Sequence, residues 1–279
     1  MRTKQQDRPA AAGPRVHLLS VLTLGILGLF MLSVVALLVA DLSYRRLALA
    51  TFADLLASAE IRSAIKLSLI SSVLTLAAVM LVAVPSGYAL SRYHFPGRVL
   101  ADALVDLPIV LPPVVVGVSL LIFFASAPGN WIERAVESAG LSLQSILGIV
   151  LCQFFISVSY AIRAAKAAFD DVSRRLEDIA LTLGCTPWQT FRRVTLPLAR
   201  NGLVAGAVMA WARGIGVFGP LMVFVGTTRF KVETMPTRIY LELSIGRIEN
   251  ALAMSVMMLA MAGAALVAVH WLAPGRKWT

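Results

Sequence analysis

Few side chains in this 279-residue sequence are equipped for chemistry. The long apolar runs hold no carboxylate pair, no nucleophile beside a base and no metal cluster, so an intramembrane enzyme lacks its working parts. His17, His94 and His270 stand alone, without a carboxylate or thiol at ligand spacing. Cys152 and Cys185 are too far apart for a CxxC site, and the topology derived below puts them on opposite sides of the membrane, which makes a disulfide between them an unfavoured reading. No lysine follows a glycine, so the phosphate-binding GK of a P-loop is absent and any ATP must be bound by another chain. The expectation is a chain with no catalytic residue, cofactor or metal, and therefore not an enzyme. Two features remain: Arg213 alone inside an apolar run, and a polar island at 175–197, RLEDIALTLGCTPWQTFRRVTLP.

The island gathers four basic residues, Arg174, Arg175, Arg192 and Arg193, around Glu177 and Asp178. Its order is that of two short helices set at an angle. Ser173 can cap the first, with Glu177 and Asp178 in the early turns where the positive helix end favours carboxylates. Leu176, Ile179, Ala180 and Leu183 then share a face. Gly184, which lacks a Cβ, can reverse the chain. Thr186 is a plausible N-cap with Pro187 at the first helical position, so a second helix is expected over 188–194, ended by Pro197.

This spacing resembles the cytoplasmic loop of permease subunits of type I ABC importers, which reads EAA, three residues, G, nine residues, I, one residue, LP. Asp178, Ile179 and Ala180 stand at the EAA positions, followed by Gly184, Val194, Leu196 and Pro197. Asp replaces Glu, and Ile replaces the first Ala. The resemblance implies that Glu177, Asp178, Ala180, Gly184, Cys185, Thr186, Trp188 and Pro197 couple the chain to an ATPase, with Gly184, Cys185 and Thr186 entering a cleft of that partner and Asp178 fixing the turn through backbone hydrogen bonds. As charge alone, the island reads as a solvated connection between helices.

The rest of the chain must position these groups. Hydrophobic residues make up 58% of it and charged residues 14%. With a mean hydropathy of +0.81, the repeated uncharged runs indicate a polytopic helical membrane protein, because a crossing takes roughly 20 apolar residues. The fold class expected is all-α, with six transmembrane helices at 18–40, 64–90, 106–125, 146–168, 203–225 and 251–272 and the island between the fourth and fifth. A cytoplasmic tail is expected at 1–17, the permease domain at 18–272 with the coupling loop at about 170–200, and a second tail at 273–279. Residues 41–60 and 128–145 read as loops, with Trp131 an interfacial anchor in the second. The stretch PTRIYLELSIGRIEN reads as an amphipathic segment along an interface.

A net charge of +10 would suit nucleic acid, but no stacking module accompanies the basic residues. They cluster instead at the tails and in the loops after helices two and four. The positive-inside rule then places both termini and the island in the cytoplasm of a bacterial or archaeal cell, the protein being multi-pass in the inner membrane.

Two segments read as a pathway. Pro108, Pro112 and Pro113 open helix three and would free carbonyls, which requires either a packing kink or irregular backbone lining a cavity. Helix five carries Gly202, Gly206, Gly214, Gly216 and Gly219, and Arg213 lies at mid-span, a position costing on the order of 3 kcal/mol for a charge. Arg213 therefore faces water or an anion, or bonds to carbonyls freed in helix three. DLPIVLPPVVVGVSLL and AWARGIGVFGPLMVFVG resemble the helix-three and helix-five segments of molybdate, tungstate and sulfate permeases. In those, AR-x-x-GEFG is usual; here Val217 takes the glutamate position. The resemblance implies a pathway lined by Pro112, Pro113, Gly117, Arg213, Gly216, Phe218 and Gly219, a tetrahedral oxyanion as substrate, two ATPase subunits, an extracytoplasmic binding protein and a second permease copy. Importers of polyamine, ferric iron or thiamine share the plan. A secondary carrier would show repeated halves with midplane ionisable groups, which are not evident here.

Overall fold

The computed structural model describes residues 14–42 and 49–272, and among these every regular element is helical. The chain divides into two units, residues 1–48 and 49–279. The first holds α1 (Pro14–Leu42), apolar on all sides between Val21 and Ala40 as a helix surrounded by lipid must be. Its start at Pro14 places residues 14–17, expected as tail, inside a helix. The rest of the expected N-terminal tail and all of 273–279 lie outside the described residues.

The second unit runs α2 (Leu49–Ala57), α3 (Ala59–Arg92), α4 (Arg98–Val110), α5 (Pro113–Ala125), α6 (Ala127–Ser138), α7 (Ile146–Asp170), α8 (Arg174–Thr182), α9 (Pro187–Thr190), α10 (Leu196–Ile215), α11 (Gly219–Phe224), α12 (Met235–Ser244) and α13 (Ile248–Leu272). The expected loops at 41–60 and 128–145 thus contain α2 and α6. Among the described residues, four helices are long and apolar enough to cross a bilayer, in α1, α3, α7 and α13. The prolines of the expected third crossing act more strongly than a kink: α4 and α5 meet at a 111° bend, so they form at most one broken span. The expected fifth crossing is interrupted too, because α10 stops at Ile215 and α11 starts at Gly219.

α7 is the central post. Small residues bring α10 against it in antiparallel order: a Cβ on Gly202 would lie 2.5 Å from Ala168 Cβ, one on Gly206 2.5 Å from Ala164 Cβ, and one on Gly214 2.9 Å from Ser157 Oγ. On the α3 side a buried polar seam runs beside the apolar packing of Val79, Ala83 and Leu90 on Val158, Ala161 and Ile162. Thr75 Oγ1 donates to Gln153 Oε1 at 2.8 Å, Gln153 Nε2 donates to Ser71 Oγ at 3.3 Å, and Trp211 Nε1 donates to Ser72 Oγ at 3.1 Å. α4 is held to α7 by Arg163, which binds Asp102 at 3.0 Å and also Asp106.

α12, in the stretch expected to lie along an interface, turns its Arg238 and Glu242 inward while Tyr240 and Leu243 stay exposed. Its Arg238, only 7% exposed, is enclosed by Glu60 at 2.9 Å, Glu233 at 3.1 Å and Glu242 at 2.8 Å. Burial works against that guanidinium's charge, but the Glu233 bond and the three carboxylates outweigh it and hold the pKa above the ordinary arginine value. This polar face locks α12 to the start of α3.

Candidate functional site

The island folds from local signals. α8 ends at Thr182, and Gly184 takes φ +88°, a left-handed conformation open to glycine. Cys185 N–H then donates to Ala180 O and Gly184 N–H to Leu181 O, both at 3.0 Å, the paired bonds of a Schellman turn. A capping box follows: Thr186 Oγ1 accepts from Gln189 N–H at 3.3 Å and Gln189 Oε1 accepts from Thr186 N–H at 2.9 Å. Ser173 occupies the N-cap position of α8 but its hydroxyl makes no capping bond.

The second helix does not end at Pro197. α9 passes through a π turn, Phe191–Thr195, straight into α10, with Leu196 N–H donating to Phe191 O. Pro197 sits in the first turn of α10, where the wider turn upstream accommodates a residue that has no N–H to give.

Charge inside the island is arranged around Glu177 rather than Asp178. Glu177 is 9% exposed; its Oε1 accepts from Arg92 Nε at 3.0 Å and from Thr195 Oγ1 at 2.8 Å. Arg92 also donates to Val172 O at 2.9 Å, Arg174 donates to Ser91 O at 2.8 Å, and Ser91 Oγ donates to Asp170 Oδ1 at 2.6 Å. The ends of α3 and α7, α8 and the π turn are therefore one joint. Asp178 points outward and makes none of these bonds, which corrects the turn-fixing role expected of it. Arg92 and Thr195 were missed in the sequence, since Arg92 counted there only as one of many cytoplasmic charges.

The face turned away from this joint carries an apolar edge among exposed charges. Leu183 is 80% exposed and Trp188 67%, with Leu176 and Ile179 exposed beside them. Trp188 stacks on Phe191, ring centroids 5.6 Å apart, and Phe191 packs on Tyr88 of α3 at 4.8 Å. Ala180 is buried beneath, and Cys185 is half-buried at the tip.

The two interrupted helices meet at a second place. Pro113, Val114, Ile156, Arg213, Gly216, Val217, Phe218 and Gly219 line one pocket of about 330 Å³. Of the residues expected along a pathway, Pro112 precedes this lining as the N-cap of α5, and Gly117 faces Pro220, whose Cα would lie 2.7 Å from an added Cβ. Gly219 faces the Val114 side chain, whose Cγ2 would lie 2.8 Å from an added Cβ, so α5 and α11 pack closely. Val217 is buried in the apolar cluster of α5, α7 and α11. Arg213 is the charged member of the lining; it is exposed, pairs with no carboxylate among the described residues and bonds to none of the carbonyls near the helix-three prolines. Its Cζ lies 5.4 Å from the centroid of the Tyr160 ring, a partner that no motif had indicated.

Residues 80–277 match the model of the family described as binding-protein-dependent transport system inner membrane component. The chain belongs to this family. The permease is 38% identical over 160 residues to the molybdate/tungstate transport system permease protein of Thermococcus kodakarensis, a match covering 57% of this chain and 59% of that protein. It thus spans about three fifths of that relative's length. To the molybdenum transport system permease protein of Escherichia coli K12 it is 35% identical over 188 residues, 67% of this chain and 82% of the relative. In fold, the permease resembles a chain of the bacterial alginate ABC transporter solved with its alginate-bound periplasmic protein, with a TM-score of 0.74 at 19% identity, covering 93% of this chain and 95% of that one. The permease is thus a multi-pass inner membrane transport component.

Proposed function

We propose that the permease carries a tetrahedral oxyanion such as molybdate, tungstate or sulfate inward through the Arg213 pocket, driven by a separate ATPase docked on the island. The observation that carries this reading is the pairing of two sites in one unit: an apolar edge at Leu183 and Trp188 on a rigid joint, and a cationic pocket where two helices break. The first suits a protein partner, since exposed apolar patches on ordered scaffolds mark docking faces. The second suits an anion, because Arg213 pairs with no carboxylate among the described residues. A polyamine, ferric iron or thiamine would meet that uncompensated charge, and the pocket offers such a cation no acidic residue. The names of the relatives point the same way.

The complete transporter on this reading holds two permease copies, two ATPase subunits on the cytoplasmic islands and a binding protein on the opposite face, with both termini of the permease in the cytoplasm. Gly184 gives the test. Gly184→Val forces a β-branched residue into φ +88° and displaces the docking edge while leaving the spans intact. In vesicles containing the whole complex, ATP hydrolysis stimulated by molybdate-loaded or sulfate-loaded binding protein should fall at least tenfold at normal yield of permease. Stimulated hydrolysis equal to the parent's would remove the island from the coupling route.

A further inference from the structure

Arg213 needs something to hold it, since a long side chain at the mouth of an apolar pocket otherwise samples many rotamers. The usual holder is a carboxylate, which would cancel the charge and occupy N–H donors. Here the holder is an aromatic face. The Arg213 Cζ sits 5.4 Å from the Tyr160 centroid, and a cation–π contact fixes the guanidinium plane while consuming none of its five N–H groups.

The level of the two residues is fixed by their helices. Gly214, next to Arg213, approaches α7 so closely that an added Cβ would lie 2.9 Å from Ser157 Oγ, and Ser157 stands one turn before Tyr160 on α7. Ser157 is itself buried, its hydroxyl donating to Gln153 O at 2.7 Å. The pair therefore cannot slide apart without parting α7 from α10.

We propose that Tyr160 is the positioning residue of the pathway: its ring presents the Arg213 guanidinium, charged and with its donors unspent, to an oxyanion passing through the pocket. This rests on the oxyanion reading above. A single guanidinium among apolar walls gives a two-pronged hydrogen-bonding fork to a tetrahedral anion and little else, which fits a site of brief contact rather than storage.

The experiment compares Arg213→Gln, Tyr160→Leu, Tyr160→Phe and the Arg213→Gln/Tyr160→Leu double variant in vesicles containing the complete complex at equal yield. The readout is labelled molybdate or sulfate taken up per ATP hydrolysed. Tyr160→Leu should lower that ratio about two- to fivefold, with stimulated hydrolysis retained. Tyr160→Phe, which keeps the ring face, should restore most of it, and the double variant should be no worse than Arg213→Gln alone. Tyr160→Met, close to tyrosine in length, replaces the leucine variant should that one not assemble. A parent-like ratio in the ring-less variants, an equal loss in Tyr160→Phe, losses that add in the double variant, or transport and hydrolysis falling together would each overturn the positioning role while leaving the pathway reading in place. A parent-like ratio in Arg213→Gln, or no uptake of either anion by the parent, would overturn the oxyanion reading and this inference with it.

Discussion

A carboxylate taken out of water is tolerable only if charge and hydrogen bonds replace its hydration, and Glu177 has both from Arg92 and Thr195. Removing it leaves Arg92, nearly buried, without its anion. Glu177→Ala should therefore destabilise the permease by about 3 kcal/mol, whereas Asp178→Ala, on the outer face of the same helix, should change stability by less than about 0.5 kcal/mol. Thermal unfolding of the purified chain followed by tryptophan fluorescence separates the two. A larger drop in melting temperature for Asp178→Ala would reverse the assignment. The motif spacing pointed to Asp178, and it could not do better, since adjacent residues on a helix differ by about 100° in direction and only the position of Arg92 selects between them. Gly184, by contrast, was fully legible, because a chain reversal between two capped helices leaves few other residue types.

At the scale of elements, prolines and glycines in the sequence marked where α4 and α5 part and where α10 closes on α7. What they did not mark was the sign of a face. α12 reads as amphipathic in either orientation, and Arg238 is drawn inward by Glu233 and Glu242, near it in sequence, together with Glu60 of α3, which the sequence did not place there. The seam between α3 and α7 was equally hidden, because isolated Ser71, Thr75 and Gln153 look incidental until the helices are paired. Hydrogen bonds between membrane helices contribute on average about 0.6 kcal/mol each. Gln153→Leu, which strands Thr75 and Ser71 together, should thus cost about 1 kcal/mol and lower the melting temperature with the fold intact. A higher melting temperature than the parent's would show that the seam does not support the bundle.

For the molecule as a whole, apolar runs of crossing length identified the class and the spacing of the island carried the family resemblance, while the full break of the third expected crossing and the break of the fifth came only with the structure, since hydropathy averages across a break. The proposed sidedness rests on the basic residues around the island. With Cys152 replaced by alanine, a membrane-impermeant maleimide should label Cys185 in inverted vesicles and leave it untouched in intact cells. Labelling from outside intact cells would invert the topology and move the docking edge to the wrong side of the membrane for an ATPase.

The π turn governs how this chain can vary. Phe191–Thr195 winds one residue more into its turn than an α-helix uses, and each helical residue advances the heading by about 100°. Because the extra residue is absorbed within one turn, deleting it would close that turn to α geometry and leave the heading upstream nearly unchanged, whereas deleting a residue from the regular part of α10 would swivel everything upstream by about 100°. After such a deletion in α10, Glu177 would face away from Arg92, and Trp188 would aim at a different quarter of its surroundings. The π turn is thus the place where this chain can change its length, and the bearing of the island toward the membrane pocket is set by a count of residues in α10 rather than by any one side chain.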